Sequence, residues 1–204
     1  MTKCRADVNS DPMNAPQPDP RRAAILDAAW TAFARYGFRK TSMEDIARGA
    51  GLSRPALYQY YRNKEDIFRS LAAHYIARSV QDVERELAAD RPVPEALAEA
   101  FARQGEAIAE VLLTSPHGHE LLDIGNATSA DIVAEGEVRI AAAYAAWLRG
   151  RAAAGALRPG LDPDALGATF VAALHGIKAA ATDHAGYLAR ARMLGRVLGQ
   201  GLLP

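Results

Sequence analysis

The stretch that decides the fold is "EDIARGAGLSRPALYQYYRNKEDI", Glu44 to Ile67. Two short apolar-periodic runs flank Gly51-Leu52-Ser53, and Tyr58, Tyr60 and Tyr61 then crowd beside Arg54, Arg62 and Lys64. Ser42 with Asp45 three residues later forms a capping-box pattern that opens a helix at Met43. Ser53 caps a second helix, with Pro55 in its first turn where a missing N–H costs nothing. Ala47 and Gly51 supply the small residue and the positive-φ residue that two helices joined by a tight turn require. Leu52 and Leu57 pin the second helix inward, leaving Arg54, Ala56, Gln59 and Tyr60 outside. Such a face suits a ligand with negative charge and flat edges, and DNA is both. Arg54 can reach guanine, Gln59 can bond adenine and Ala56 can meet a thymine methyl. Thr41, Tyr58 and Lys64 suit phosphate oxygens, which fix register without reading sequence. Tyr61 is the aromatic expected in the core.

Working outward, Ile25, Ala29, Phe33 and Tyr36 form one helical stripe ending at Gly37, expected as a left-handed cap. Beyond Asn63 a long helix carries Ile67, Leu71, Tyr75, Val80 and Val83 to about Ala89. Further helices are expected at Pro94–Thr114, His119–Ile124, Ala130–Ala154, Pro163–Thr182 and Ala185–Leu202, with a turn cluster at Arg158–Pro163. No alternating segment of useful length reads as a strand, so the chain is all-α. Residues 1–20, rich in Pro, Asp and Asn, read as a disordered arm, 21–66 as a helix-turn-helix domain and 67–204 as a helical body for dimerisation and effector binding.

Charge follows the same division. The chain of 204 residues has 24 basic and 24 acidic side chains, but Arg21–Ser70 holds ten basic against five acidic, and Leu71 onward holds 12 against 16. A segment of +5 thus precedes one of −4, as expected of a polyanion-binding head on a body that does not bind it. Cys4 is the lone cysteine and makes no intramolecular disulfide, so a reducing cytoplasm is the expected compartment, with no membrane partner. His117, His119 and Glu120 do not fix a tetrahedral metal site, and no cofactor is expected.

The segment "TSMEDIARGAGLSRPALYQYYRNKEDI" resembles the N-terminal helix-turn-helix of the TetR (tetracycline-repressor) family of bacterial transcriptional regulators. The resemblance covers about Ile25 to Leu71 and rests on Gly37-Phe38, Thr41, Ile46-Ala47, Ala50-Gly51, Leu57-Tyr58, Tyr61 and Lys64-Glu65; Arg62 departs from the small or turn-forming residue of many members. It implies a three-helix DNA-binding domain and a larger helical domain that dimerises through its last two helices and holds a small-molecule pocket. By matching positions, Ser42 and Lys64 would touch phosphate, Tyr58 would lie along the backbone, and Arg54, Pro55, Ala56, Gln59 and Tyr60 would face the major groove of a palindromic operator. A pocket for an apolar effector is expected among His74, Phe101, His119, Tyr144, Trp147 and Phe170, on helices that need aromatic filling in any case. Val171, Leu174 and Lys178 with Leu194 and Leu198 are expected in the homodimer seam. The expected function is therefore a repressor, not an enzyme. Its rivals are a DNA-binding regulator without an effector and an enzyme with an accessory DNA-binding domain; for the latter the sequence offers no nucleophile with a base and no phosphate loop.

Overall fold

The structure, a computed structural model, describes residues 19–204 and is helical throughout, with no strand among those residues. The expected arm, apart from its last two residues, and Cys4 lie outside the described residues. Helix α1 (Pro20–Tyr36) starts where the Asp19 side chain accepts from the Arg21 N–H at 3.0 Å and Pro20 fills the first position. It ends at Gly37, whose φ of 82° and ψ of 158° lie outside the left-handed helical region expected, in an extended conformation open only to glycine.

Helices α2 (Met43–Gly49) and α3 (Arg54–Tyr58) follow, the first with both hydrogen bonds of the Ser42/Asp45 capping box in place. Helix α4 (Lys64–Ala88) is a 25-residue shaft capped by the Asn63 side chain on the Asp66 N–H. Its first half belongs to one core, where Ile67, Phe68 and Leu71 meet Ile25, Phe33, Ile46 and Leu57. There Phe33, Phe38 and Phe68 pack with ring centroids 5.2 to 5.8 Å apart. Burying each such ring contributes about 1.5–3 kcal/mol, which is how so small a three-helix head holds together.

The second half of α4 belongs to the body. The single helix expected over Pro94–Thr114 is two, α5 (Val93–Arg103) and α6 (Glu106–Thr114), because Gly105 takes φ +72° between them. Helices α7 (Gly118–Thr128), α8 (Ala130–Ala153), α9 (Pro163–Ala179) and α10 (His184–Leu202) complete the chain. The body core gathers Val83, Leu97, Phe101, Tyr144, Leu148, Phe170 and Leu174. Helix α10 lies against α5 so closely that a Cβ on Gly195 or Gly199 would come within 2.6 Å of the Ala98 backbone or 2.4 Å of Pro94. Among the described residues no helix is long and apolar enough to cross a membrane.

Candidate nucleic-acid interface

Helix α3 is placed by its inner side. Leu57 is fully buried and Tyr61 nearly so, while the Leu52 N–H donates to the Ala47 carbonyl at 2.9 Å and closes the turn over Gly51, φ +67°. Gly49 lets α2 ride on α1, its missing Cβ facing Ala28 at 3.1 Å. What remains outward is Arg54, Pro55, Tyr58 and Gln59, with Ala56 and Tyr60 half-buried beside them. The Arg54 guanidinium stands 5.7 Å from the Tyr58 ring centroid and 3.9 Å from the Glu44 carboxylate. Hydrogen bonding to Tyr58 raises its pKa, so it is cationic at every working pH. Tyr58 is 44% exposed, and its ring lies beside the guanidinium.

Three residues sit differently from the sequence expectation. Thr41 is 2% exposed and its hydroxyl donates to the Gly37 carbonyl at 2.7 Å, so it braces the α1–α2 connection and has no proton left to donate to a phosphate. The Lys64 ammonium donates to the carbonyls of Phe38, Arg39 and Thr41 at 2.8, 3.1 and 3.2 Å, which occupies all its protons. It too is a brace, standing 4.5 Å over the Phe38 ring. Tyr60 turns back toward α1, where Arg22 lies 5.9 Å from its centroid and its hydrogen bond raises the Arg21 pKa. Arg21 and Arg22 thereby join the basic rim of the head. Ser42 remains exposed, its hydroxyl bonded to the Asp45 carboxylate at 2.6 Å.

Residues 25–71 match the family described as bacterial regulatory proteins, tetR family. The transcriptional repressor ComR of Escherichia coli K12 is 37% identical over 82 residues, 40% of this chain and 39% of ComR. The regulator EthR of Mycolicibacterium smegmatis is 41% identical over 64 residues, 31% of this chain and 30% of EthR. Over residues 25–71 the chain is thus similar to tetR-family regulators. The aligned part spans well under half the length of these curated relatives. Likeness over the whole chain is one of fold. SmeT, the repressor of a Stenotrophomonas maltophilia multidrug efflux pump, superposes with a TM-score of 0.64 at 23% identity over 90% of both chains. Salmonella enterica GusR does so with a TM-score of 0.67 at 22% identity over 92% of this chain and 97% of its own.

In the body the expected pocket residues do not enclose a pocket. Phe101, Tyr144 and Phe170 are buried and meet edge to face at 5.1 to 5.5 Å, filling the interior themselves. Trp147 is half-buried at their margin with Arg151 over its ring at 5.4 Å, and His74 and His119 are exposed on α4 and α7. Aromatic residues on facing helices satisfy each other, so the same residue types that could line a cavity close it.

The expected dimer seam also needs correction. Val171 and Leu174 are buried in the body core, Lys178 lines an internal cleft, and Leu194 and Leu198 pack against the same core. The outer face of α9 and α10 carries Ala165, Ala168, Ala172 and Gly176 opposite Ala189, Met193 and Val197, with Met193 60% and Val197 63% exposed. Sequence reasoning also missed the contacts that tie α7 to the head. The Arg39 N–H donates to the Glu120 carboxylate at 2.8 Å, Ser115 donates to the Ala34 carbonyl at 2.7 Å, and Leu121 is buried in the head core. The His117-Gly118-His119-Glu120 run is the only sequence signal for these contacts. In the fold His117 faces Glu120 at 3.6 Å and both stand against Gly37.

Proposed function

We propose that the chain is a homodimeric DNA-binding transcriptional regulator, acting as a repressor in the cytoplasm. The observation that carries this reading is the outward face of α3, where Arg54, Pro55, Tyr58 and Gln59 project from a helix locked into a tight three-helix core. In this reading α3 enters the major groove, Arg54 and Gln59 read base edges, and Arg21 and Arg22 hold phosphates, while Ser42 spends its hydroxyl proton on Asp45. The apolar outer face of α9 and α10 pairs with its copy in a second chain, so the two heads meet a palindromic operator. The relative SmeT has been solved as a complex with triclosan, and by that likeness the body is the place for a small-molecule effector that releases the operator. A regulator without an effector is favoured by one observation, the filled aromatic interior at Phe101, Tyr144 and Phe170.

Selection of duplexes from a random pool, followed by footprinting, tests the reading. The expected site is a palindrome whose half-site centres lie about one helical turn or slightly more apart, bound with an affinity that falls steeply with salt. An asymmetric or salt-insensitive footprint refutes it.

A further inference from the structure

The body does contain one narrow cleft, away from the aromatic cluster. It lies among α4, the α5–α6 break, α8, α9 and α10, with an interior of about 40 Å³. Ile76, Ile140, Val171 and Leu174 form its apolar sides. Its polar groups are unevenly used. At the inner end the Tyr187 hydroxyl donates to the Gln104 backbone carbonyl at 2.6 Å and the Tyr144 hydroxyl to Gln104 Oε1 at 3.0 Å. The Gly105 N–H donates to Ser79 Oγ at 3.1 Å. These bonds consume acceptors and leave donors: the Gln104 amide N–H groups, the Ser79 hydroxyl proton and the Lys178 ammonium have no acceptor among the described residues. Glu137 is the carboxylate nearest in the lining, but it pairs with His175 Nδ1 at 3.2 Å and makes no ion pair with Lys178.

Lys178 is half-buried, and its partial removal from water lowers the pKa of its ammonium while the charge of Glu137 opposes the shift. Nothing in the head or in the aromatic core needs a lysine at this place. Three donors without protein acceptors in the lining of a largely apolar slot are the complement of one chemical group, a carboxylate on an apolar body.

We propose that this cleft is an effector site for a small carboxylic acid, its carboxylate taken by Lys178 with Gln104 and Ser79, and its apolar body held between Ile76, Ile140 and Leu174. The assignment rests on the effector-binding reading above and supplies the ligand class that reading lacks. The narrow interior selects a slim or planar acid rather than a bulky amphiphile.

Isothermal titration of the full chain with benzoate, butyrate and octanoate, and with benzamide and butyramide as uncharged controls, tests the site. At least one acid is expected to bind saturably at one site per chain, about tenfold or more tighter than its amide. Lys178→Met keeps the stem and removes the charge; it is expected to lose that about tenfold preference while amide binding stays unchanged. Absence of saturable binding by all three acids, equal binding of acid and amide to the wild-type chain, or unchanged acid binding by Lys178→Met overturns the proposal. The acid-to-amide ratio is read on the wild-type chain and stands whether or not the variant folds. Capture of random duplex DNA, run in parallel, separates the two readings. A chain that captures DNA but binds no acid loses this site and remains a regulator, whereas a chain that binds acid through Lys178 but captures no DNA keeps the site and loses the regulator.

Discussion

Replacing Lys64 by Met distinguishes a brace from a phosphate contact. In the structure the ammonium holds the Phe38, Arg39 and Thr41 carbonyls at 2.8 to 3.2 Å and sits over the Phe38 ring. A hydrogen bond to a charged group contributes about 1.5–3 kcal/mol, but three sharing one side chain do not add, and part-exposed carbonyls recover water. The net loss expected is about 2–3 kcal/mol, including roughly 0.5–1 for the cation over the ring. For a chain of this length that lowers the melting temperature by roughly 5–10 °C. Because the ammonium is already fully occupied, the slope of log affinity against log salt on random duplex DNA should not change. A lysine that neutralised one phosphate would instead flatten that slope by about 0.9. Thermal unfolding by circular dichroism and a salt series of non-cognate DNA binding measure both quantities. An unchanged melting temperature together with a slope reduced by about one unit refutes the brace.

Arg54→Ala should cost about 1–3 kcal/mol on the selected operator and little on random duplex, as measured by competition binding; equal losses on both would remove its base-reading role. Val197→Arg should give a folded monomer in sedimentation, since Val197 is exposed in the single chain, whereas Leu198→Arg should reduce helicity because Leu198 packs on the body core. Asp131, hydrogen-bonded by Arg69 at 2.7 and 2.8 Å, has its pKa lowered from 3.8 to about 2. A carboxylate depressed in the folded state adds stability above its unfolded pKa and loses it as pH falls through the folded one. Asp131→Asn should therefore lower stability modestly at neutral pH and soften the further loss between about pH 4 and pH 2 in acid titrations, so that wild type and variant converge at low pH.

The head was legible because its signals are local. A capping box, a prolyl first turn and a positive-φ glycine each state their geometry within three or four residues, and Ser42, Pro55 and Gly51 do what their spacing says. The body was legible only as a set of helices. Which side of α10 faces inward depends on what lies across from it, and the stripe of Ala191, Gly195 and Gly199 admits either reading: a close contact within the chain or one between chains. The contact with α5 decides it, and the apolar residues taken for the seam become core, leaving Met193 and Val197 outside. The roles of Thr41 and Lys64 were hidden for a related reason. A hydroxyl or ammonium at a given spacing is chemically fit for phosphate or for backbone carbonyls, and only the approach of the α1–α2 connection shows which is taken.

That connection is also where head and body meet. It is held from one side by Lys64 at the start of α4 and from the other by Glu120 of α7 through the Arg39 N–H. Helix α6 links this place to the cleft, since it begins just after Gly105 and ends one residue before Ser115, whose hydroxyl grips the end of α1 at 2.7 Å. At 1.5 Å per residue its nine residues form a lever of about 13 Å. A ligand that opened the α5–α6 angle at Gly105 by roughly 5° would displace Ser115 by about 1 Å, enough to break a hydrogen bond of ordinary length. Gly105 is the one place along α5 and α6 where such a change meets little resistance, because its positive φ already interrupts the helix and no atom lies within 4 Å of where a Cβ would stand. A ligand in the proposed cleft that moved Gly105 would therefore act on the head through Ser115 at the end of α1.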